Sequence, residues 1–76
     1  MPTAKGRFVW MFMERIGDGF FTTVVIYSSR KKATERLKIM EEDLKKLDIT
    51  VKWSSNRDIG FSGEGFAYKV VRWYVN

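Results

Sequence analysis

The longest regular pattern in the chain is an amphipathic stretch from Arg30 to Leu47. Apolar residues recur there at alternating steps of four and three, which is the spacing of one face of an α-helix. The residues of this apolar stripe are Ala33, Leu37, Met40, Leu44 and Leu47. Most other positions are charged, so the pattern predicts one helix with a single face to bury, capped at its start by Ser28 or Ser29.

Segments rich in aromatic and β-branched residues predict strands on both sides of this helix. The four predicted strands are Arg7–Ile16, Phe20–Ser28, Ile49–Trp53 and Phe66–Val75. Asp18-Gly19 between the first two is typical of a tight type I′ hairpin turn. The turn-forming segment Ser54–Gly65 predicts a loop with frayed strand ends. We therefore expect one α+β domain over residues 1–76, with the order ββαββ: a four-stranded, mainly antiparallel sheet with one amphipathic helix packed on one face.

Both faces of the predicted first hairpin are apolar. One face would carry Val9, Met11, Met13, Val24 and Ile26, and the other Phe8, Trp10, Phe12, Phe21, Val25 and Tyr27. A single helix can cover only one face, whereas a sheet with one wet face alternates between apolar and polar residues. Three covers for the second face remain open: a second copy of the chain, which is favoured and would make a homodimer through the sheet, a foreign partner, or the Ser54–Gly65 loop.

The aromatic side chains of this hairpin are candidates for a partner surface or for stacking on the bases of single-stranded nucleic acid. Those singled out are Phe8, Trp10, Phe12 and Tyr27. The alternative for each of them is ordinary core packing, which is the common role of large aromatic residues.

Basic residues exceed acidic ones by 14 to 9, giving a net charge of +5 and a pI of about 9.8. Arg30, Lys31 and Lys32 crowd the first turn of the helix, where acidic residues would be stabilising. Because unpaired N–H groups at a helix start attract anions, these cations indicate phosphate contact. We expect nucleic-acid binding, to DNA or RNA, by Arg30, Lys31, Lys32 and Arg36, with Arg57 from the loop. The alternative is a solvated charged turn.

The segment Ser29-Arg30-Lys31-Lys32-Ala33-Thr34-Glu35-Arg36 resembles the helix start of double-stranded RNA-binding domains, where a KKxAK run follows a β-strand and grips phosphates. Lys31, Lys32 and Ala33 match that run, and Arg36 stands one place late for its final basic position. Those domains have a preceding helix and three strands before this point, and the present chain has two predicted strands. The resemblance implies a mechanism for the lysines and assigns no family.

Several kinds of chemistry are excluded by composition. The chain has no cysteine and no histidine, so it lacks the usual general base, zinc ligands and disulfides. It contains no Walker, dinucleotide or calcium-loop motif, and we expect no enzyme activity, no metal and no cofactor. No apolar run approaches a membrane span or a secretory signal, and the absence of cysteine suits a reducing, cytoplasmic location.

Two functions from different classes follow. The first is a small non-catalytic protein that binds nucleic acid through the basic helix start and an aromatic sheet face. The alternative is a regulator or inhibitor of a larger host enzyme, of the kind that phages and mobile elements encode. It would act through the apolar sheet face or through an edge strand such as Phe66–Val75.

Overall fold

The computed structural model describes residues 7–55 and 58–75 as one sheet and one helix. The elements in chain order are β1 (Arg7–Ile16), β2 (Thr22–Tyr27), α1 (Arg30–Lys46), β3 (Lys52–Ser54), β4 (Ile59–Gly63) and β5 (Phe66–Val75). The strands are antiparallel neighbours in the spatial order β2-β1-β5-β4-β3. The α+β class and the single helix agree with the prediction, but the order ββαββ with four strands is wrong: the described chain is ββαβββ with five. Phe66–Val75, predicted as an edge strand, is the central strand of this order, so that prediction is also wrong.

The helix α1 begins where the sequence places a cap. The Ser29 hydroxyl accepts a hydrogen bond from the Lys32 N–H at 3.4 Å, which satisfies one of the unpaired donors of the first turn. Ala33 and Leu37, on the predicted apolar stripe, are fully buried against the sheet. Burial of this stripe, more than intrinsic helix propensity, stabilises a helix of this length.

The helix ends in a left-handed turn at Asp48, which has φ 59°. The N–H groups of Asp48 and Ile49 donate to the carbonyls of Lys45 and Leu44 at 3.0 and 2.9 Å. This bonding pattern satisfies the last free carbonyls of the helix. Because Ile49 is used in the cap, the strand predicted from that residue starts three residues later.

The short edge strand β3 is attached to the helix through its tryptophan. Trp53 Nε1 donates to Glu41 Oε2 at 2.6 Å, and the Trp53 ring packs edge-on against Phe61 with 5.0 Å between centroids. A charge-assisted hydrogen bond of this length is stronger than a neutral one. It joins the outermost strand of the sheet to α1.

The core lies between α1 and one face of the sheet. Its fully buried residues are Phe12, Ala33, Leu37, Phe61 and Val70, and the partly buried residues around them include Trp10, Val25, Tyr27, Met40, Leu44, Ile59, Phe66 and Tyr68. The framework beneath it is the pair β1 and β5, which is matched over ten residue pairs from Arg7 opposite Val75 to Ile16 opposite Phe66. These two strands have the bounds that the sequence predicts.

Strand β4 lies within Ser54–Gly65, which the sequence predicts to be a loop. One of its glycines meets a packing requirement that other residues could not. A Cβ at Gly60 would lie 2.7 Å from the Lys69 Cα, whereas a Cβ at Gly63 would meet only the outer edge of the Phe66 ring, which can turn away. A strand that approaches its neighbour this closely needs glycine. A glycine-rich segment can therefore form a closely packed strand as well as a loop.

The turn between β1 and β2 is wider than the predicted two-residue type I′ turn. Positive φ occurs at Gly17 (66°) and at neither Asp18 nor Gly19. The last β1–β2 pair is Glu14 with Thr22. Strand β1 continues past this point because β5 pairs with it on the other side. The hairpin itself is confirmed, and its tight turn is not.

A bulge changes the face on which the end of this hairpin lies. Phe12 pairs with Val25 and Met13 with Thr23, so β2 has one extra residue at this point. Side chains alternate along a strand, so one extra residue moves all those beyond it to the other face. Phe21 was predicted to share the face of Phe8, but its ring instead lies 4.2 Å from the Lys69 ammonium on the opposite face.

In the part of the chain that the structure describes, no helix combines the length and apolar character needed to cross a membrane.

Replacing Gly60 by alanine tests the close approach of β4 to β5. Because the new methyl group would meet backbone atoms of β5, we expect Gly60→Ala to lower the free energy of unfolding by about 1–3 kcal/mol. Gly19→Ala is the matched control, since its nearest neighbour would be the Ile16 carbonyl oxygen at 3.6 Å. Urea unfolding of both variants measures the difference, and equal stability would contradict this packing.

Tyr68 makes stability depend on alkaline pH. Its pKa is raised above the ordinary value of 10.0, first because burial disfavours the phenolate and then because the Glu14 carboxylate repels that charge and accepts the phenol hydrogen bond. A group whose pKa is raised on folding stabilises the protein below its unfolded pKa and loses this effect as pH rises through its folded pKa. We expect stability to fall above about pH 10, and less steeply in Tyr68→Phe. Urea unfolding across this range measures both slopes, and identical slopes would contradict the assignment.

Candidate nucleic-acid interface

The sheet extends past the start of α1 as a two-stranded ribbon. Strand β2 pairs with β1 only as far as Trp10, so Arg7–Val9 pair with the end of β5 alone. On the side of the ribbon that faces the helix start, Phe8 and Tyr74 are 42% and 53% exposed. Their rings meet edge to face with 5.2 Å between centroids. An exposed aromatic pair therefore lies on the end of the sheet next to the start of the helix.

A cleft of about 240 Å³ opens between the start of α1 and the sheet at the base of this ribbon. It is lined by Trp10, Arg30, Asp58, Ile59, Val70 and Arg72. Arg30 is the first residue of α1 and Arg72 lies opposite Trp10 on β5, so two arginines from distant parts of the chain line the same cleft. The two arginines outweigh the single carboxylate of Asp58, and the cleft is positive.

The guanidinium of Arg72 is fixed by an aromatic contact. It lies 4.3 Å from the centroid of the Phe8 ring, within the range of a cation–π interaction. Such stacking leaves the edge of the guanidinium, with its N–H donors, available to an anion. The aromatic pair and the cationic cleft thus share one side chain.

A second, shallow groove continues the positive surface along the helix. It is lined by Arg30, Lys31, Thr34, Lys38 and Ile59. Arg30 belongs to both the cleft and this groove. The Thr34 hydroxyl donates to the Arg30 carbonyl at 3.0 Å, so its hydrogen goes to the helix backbone. The groove is therefore lined by three cations and has little other polar character.

The predicted basic residues separate into two groups. Arg30 and Lys31 come together at the cleft and groove. Lys32 lies about 100° further around the helix axis than Lys31. Arg36 is on the other flank of α1, with its guanidinium 5.9 Å from the centroid of the Phe12 ring. Arg57 lies outside the described residues.

The predicted aromatic face is the one that the helix covers, and this part of the prediction needs correction. Phe12 is 2% exposed and belongs to the core, and Trp10 and Tyr27 are half-buried against it. Only Phe8 remains exposed, because its end of β1 extends past the helix. The free face of the sheet is the opposite one, and the aromatic neighbour of Phe8 is Tyr74.

Three residues of the interface were not singled out from the sequence, and one of them, Tyr74, is placed beside Phe8 by the pairing of β1 with β5. Lys38 follows Lys31 by seven residues, two helical turns, so the spacing alone could have indicated it. Arg72 is brought to Arg30 by the register of β1 with β5, and nothing local in the sequence signals that pairing.

Within residues 7–55 and 58–75, no group of three or more acidic, histidine or cysteine side chains is placed to hold a metal ion. The resemblance to double-stranded RNA-binding domains stays confined to eight residues at the helix start. No protein-family model, curated protein or solved structure matches this chain, so the chemistry of the cleft is the guide to its function.

Proposed function

We propose that this chain is a small, non-catalytic nucleic-acid-binding protein that holds a single-stranded segment at the start of α1. The observation that carries the proposal is the meeting of Arg30 and Arg72 in one cleft beside the exposed Phe8–Tyr74 pair. Single-stranded nucleic acids are bound by this combination, in which cations follow the phosphates and aromatic rings stack on the bases.

The phosphate contacts would come from the cleft and the groove. A guanidinium donates two parallel hydrogen bonds to a phosphate, and the free N–H groups of the first helical turn add to its attraction. Arg30 and Arg72 would supply these paired hydrogen bonds, and Lys31 and Lys38 extend the positive surface along α1. The strand would therefore run from the ribbon across the cleft and along one flank of the helix.

The base contacts would come from the ribbon. Stacking on an aromatic side chain contributes about 1–3 kcal/mol per base and tolerates any sequence. The cleft of about 240 Å³ is smaller than the usual pocket of a drug-sized ligand, so it suits a phosphate or the edge of one base. Binding would then depend on the exposed surface more than on an enclosed pocket.

Charge reversal at the helix start tests the phosphate contacts. We expect the double variant Arg30→Glu with Lys31→Glu to weaken binding to a labelled oligonucleotide by about tenfold or more and to reduce the salt slope by about two. Acidic residues are favourable in the first turn of a helix, so the fold should survive. Fluorescence anisotropy with single-stranded DNA and RNA over a salt series measures both quantities.

The matched control is Lys45→Glu with Lys46→Glu, which makes the same change in charge at the other, exposed end of α1. Equal weakening by both double variants would show that only total charge matters and would refute a localised interface.

Removal of an exposed ring tests the base contacts. We expect Phe8→Ala to weaken binding by about 1–3 kcal/mol with little change in the salt slope, because stacking releases no counterions. Phe20→Ala is the control, because Phe20 is 94% exposed at the turn between β1 and β2. Anisotropy titrations that give the same affinity for both variants would exclude the ribbon as a stacking platform.

A further inference from the structure

The sheet face opposite α1 forms a second surface, which we call the apolar face. Its apolar residues are Val9, Met11, Met13, Ile26, Val71, Trp73 and Val75. Ile26 and Trp73 remain 60% and 58% exposed, since α1 packs on the other side of the sheet. Exposed apolar surface of this continuity is typical of protein interfaces.

The strand register makes these side chains contiguous. Met11 on β1 lies between Ile26 on β2 and Val71 on β5, and Val9 lies beside Trp73 in the next row. With strands about 4.8 Å apart and residues rising about 3.4 Å each, the patch measures roughly 10 by 20 Å. These are the dimensions of an α-helix of about 13 residues lying along the strands.

The charged residues that the strands place on this face are all basic. They are Arg7 at one end of the patch and Arg15, Lys52 and Lys69 at the other. The acidic residue of β1, Glu14, pairs with Tyr68 and faces α1. Asp58, just before β4, lines a pocket with Lys69 at this second end. The apolar face is therefore apolar in its middle and net positive at both ends, with Arg7 at one and three cations against one carboxylate at the other.

Arg15 shows that one of these cations has unused hydrogen-bonding capacity. Its Nε is buried without an acceptor among the described residues, while its guanidinium lies 5.7 Å from the centroid of the Phe21 ring. A buried donor left unpaired has an energetic cost. Because this Nε is enclosed by protein, Arg15 contributes its positive charge to this end of the face and no accessible Nε donor.

This charge pattern argues against a second copy of the chain as the cover. Face-to-face packing of two copies would bring the same four cations of each copy into one desolvated layer, where like charges repel strongly. Nucleic acid would pair with the cations and leave the apolar middle against phosphate and water. A partner that is apolar in its middle and acidic at its ends satisfies both features.

We infer that the apolar face docks an acidic amphipathic segment of a foreign protein, about 13 residues long if helical, with its carboxylates at Arg7 and at Arg15 and Lys69. Apolar contact with Met11, Ile26 and Val71 supplies affinity, and the cations set orientation and choice of partner. This surface is separate from the proposed nucleic-acid cleft, so either function can fail without the other.

The test uses three probes with the intact chain. The first is a synthetic helical peptide of about fourteen residues with a leucine face and glutamates at its flanks, and the second is the same peptide with lysines in place of the glutamates. The third is vesicles of phosphatidylcholine with phosphatidylserine. Calorimetry measures binding, and sedimentation equilibrium without peptide measures the mass. We expect the acidic peptide to bind about tenfold or more tightly than the lysine peptide, and the chain alone to be a monomer.

Two variants and one control locate the binding on the apolar face. Ile26→Ser should weaken binding of the acidic peptide by about fivefold or more. Ile39→Ser is the control and should leave this binding unchanged, because Ile39 is similarly exposed (52%) but lies on α1. Arg7→Glu changes a residue at the exposed end of β1 and leaves the core untouched. It should lower the affinity for the acidic peptide and raise the affinity for the lysine peptide. Thermal melts check that each variant is folded.

Four results would overturn the inference. The lysine peptide could bind as tightly as the acidic peptide or more tightly, or neither peptide could bind. The chain alone could be a dimer that Ile26→Ser dissociates, or the chain could bind the vesicles and not the acidic peptide, with Ile26→Ser abolishing vesicle binding.

Discussion

The packing of Phe12 beneath Ala33 and Leu37 is the interaction on which the rest of the structure depends. Phe12 lies in the middle of β1, between β2 and β5, and is almost completely removed from water. Burying such a ring and the helical stripe above it supplies several kcal/mol, a large share of the net stability of a domain this small. Once Phe12 faces the helix, every second residue along β1 must do so as well. The faces of the paired strands follow from this one choice, except in β2 beyond its bulge.

The position of α1 also determines where the surface remains open. The helix starts soon after β2 ends opposite Trp10, whereas β1 and β5 continue beyond that point. The unmatched length leaves an aromatic ribbon next to the positive end of the helix dipole. A longer β2 or an earlier helix start would cover Phe8 and close the cleft. The candidate interface is thus a consequence of unequal element lengths.

Sequence patterns predicted the parts of the fold that depend on local regularity. The bounds of β1 and β5 are confirmed because their residues are apolar on both faces, and the helix is confirmed because its stripe is narrow and its cap is a serine. Strand β4 was missed because glycine has two opposite uses, to permit a loop and to permit close contact. The face of Phe21 was wrong because an extra residue in β2 reverses the alternation, and no local signal marks where a bulge occurs.

The candidate site was predictable to a similar degree. Arg30 and Lys31 are neighbours in the chain, so their common position followed from the helix alone. Arg72 depends on a pairing between residues more than sixty positions apart, and the sequence contains no local record of that register. The choice of which sheet face the helix covers is likewise a global one, because both faces of the first hairpin are apolar enough to form a core. The positions of Trp10, Phe12 and Tyr27 therefore needed the structure.

The two outer edges of the sheet differ in how they resist self-association. Edge strand β3 is three residues long and includes Lys52. Short length and a lysine are both common protections against the addition of another strand. Edge strand β2 is Thr-Thr-Val-Val-Ile-Tyr, with no charge and no proline, and this composition favours fibril formation. Electrostatic repulsion from the net charge of +5 opposes the close approach of two copies of the chain. A polyanion that neutralised this charge would also remove that repulsion, so the same cations would govern both self-association and any binding of such a polyanion.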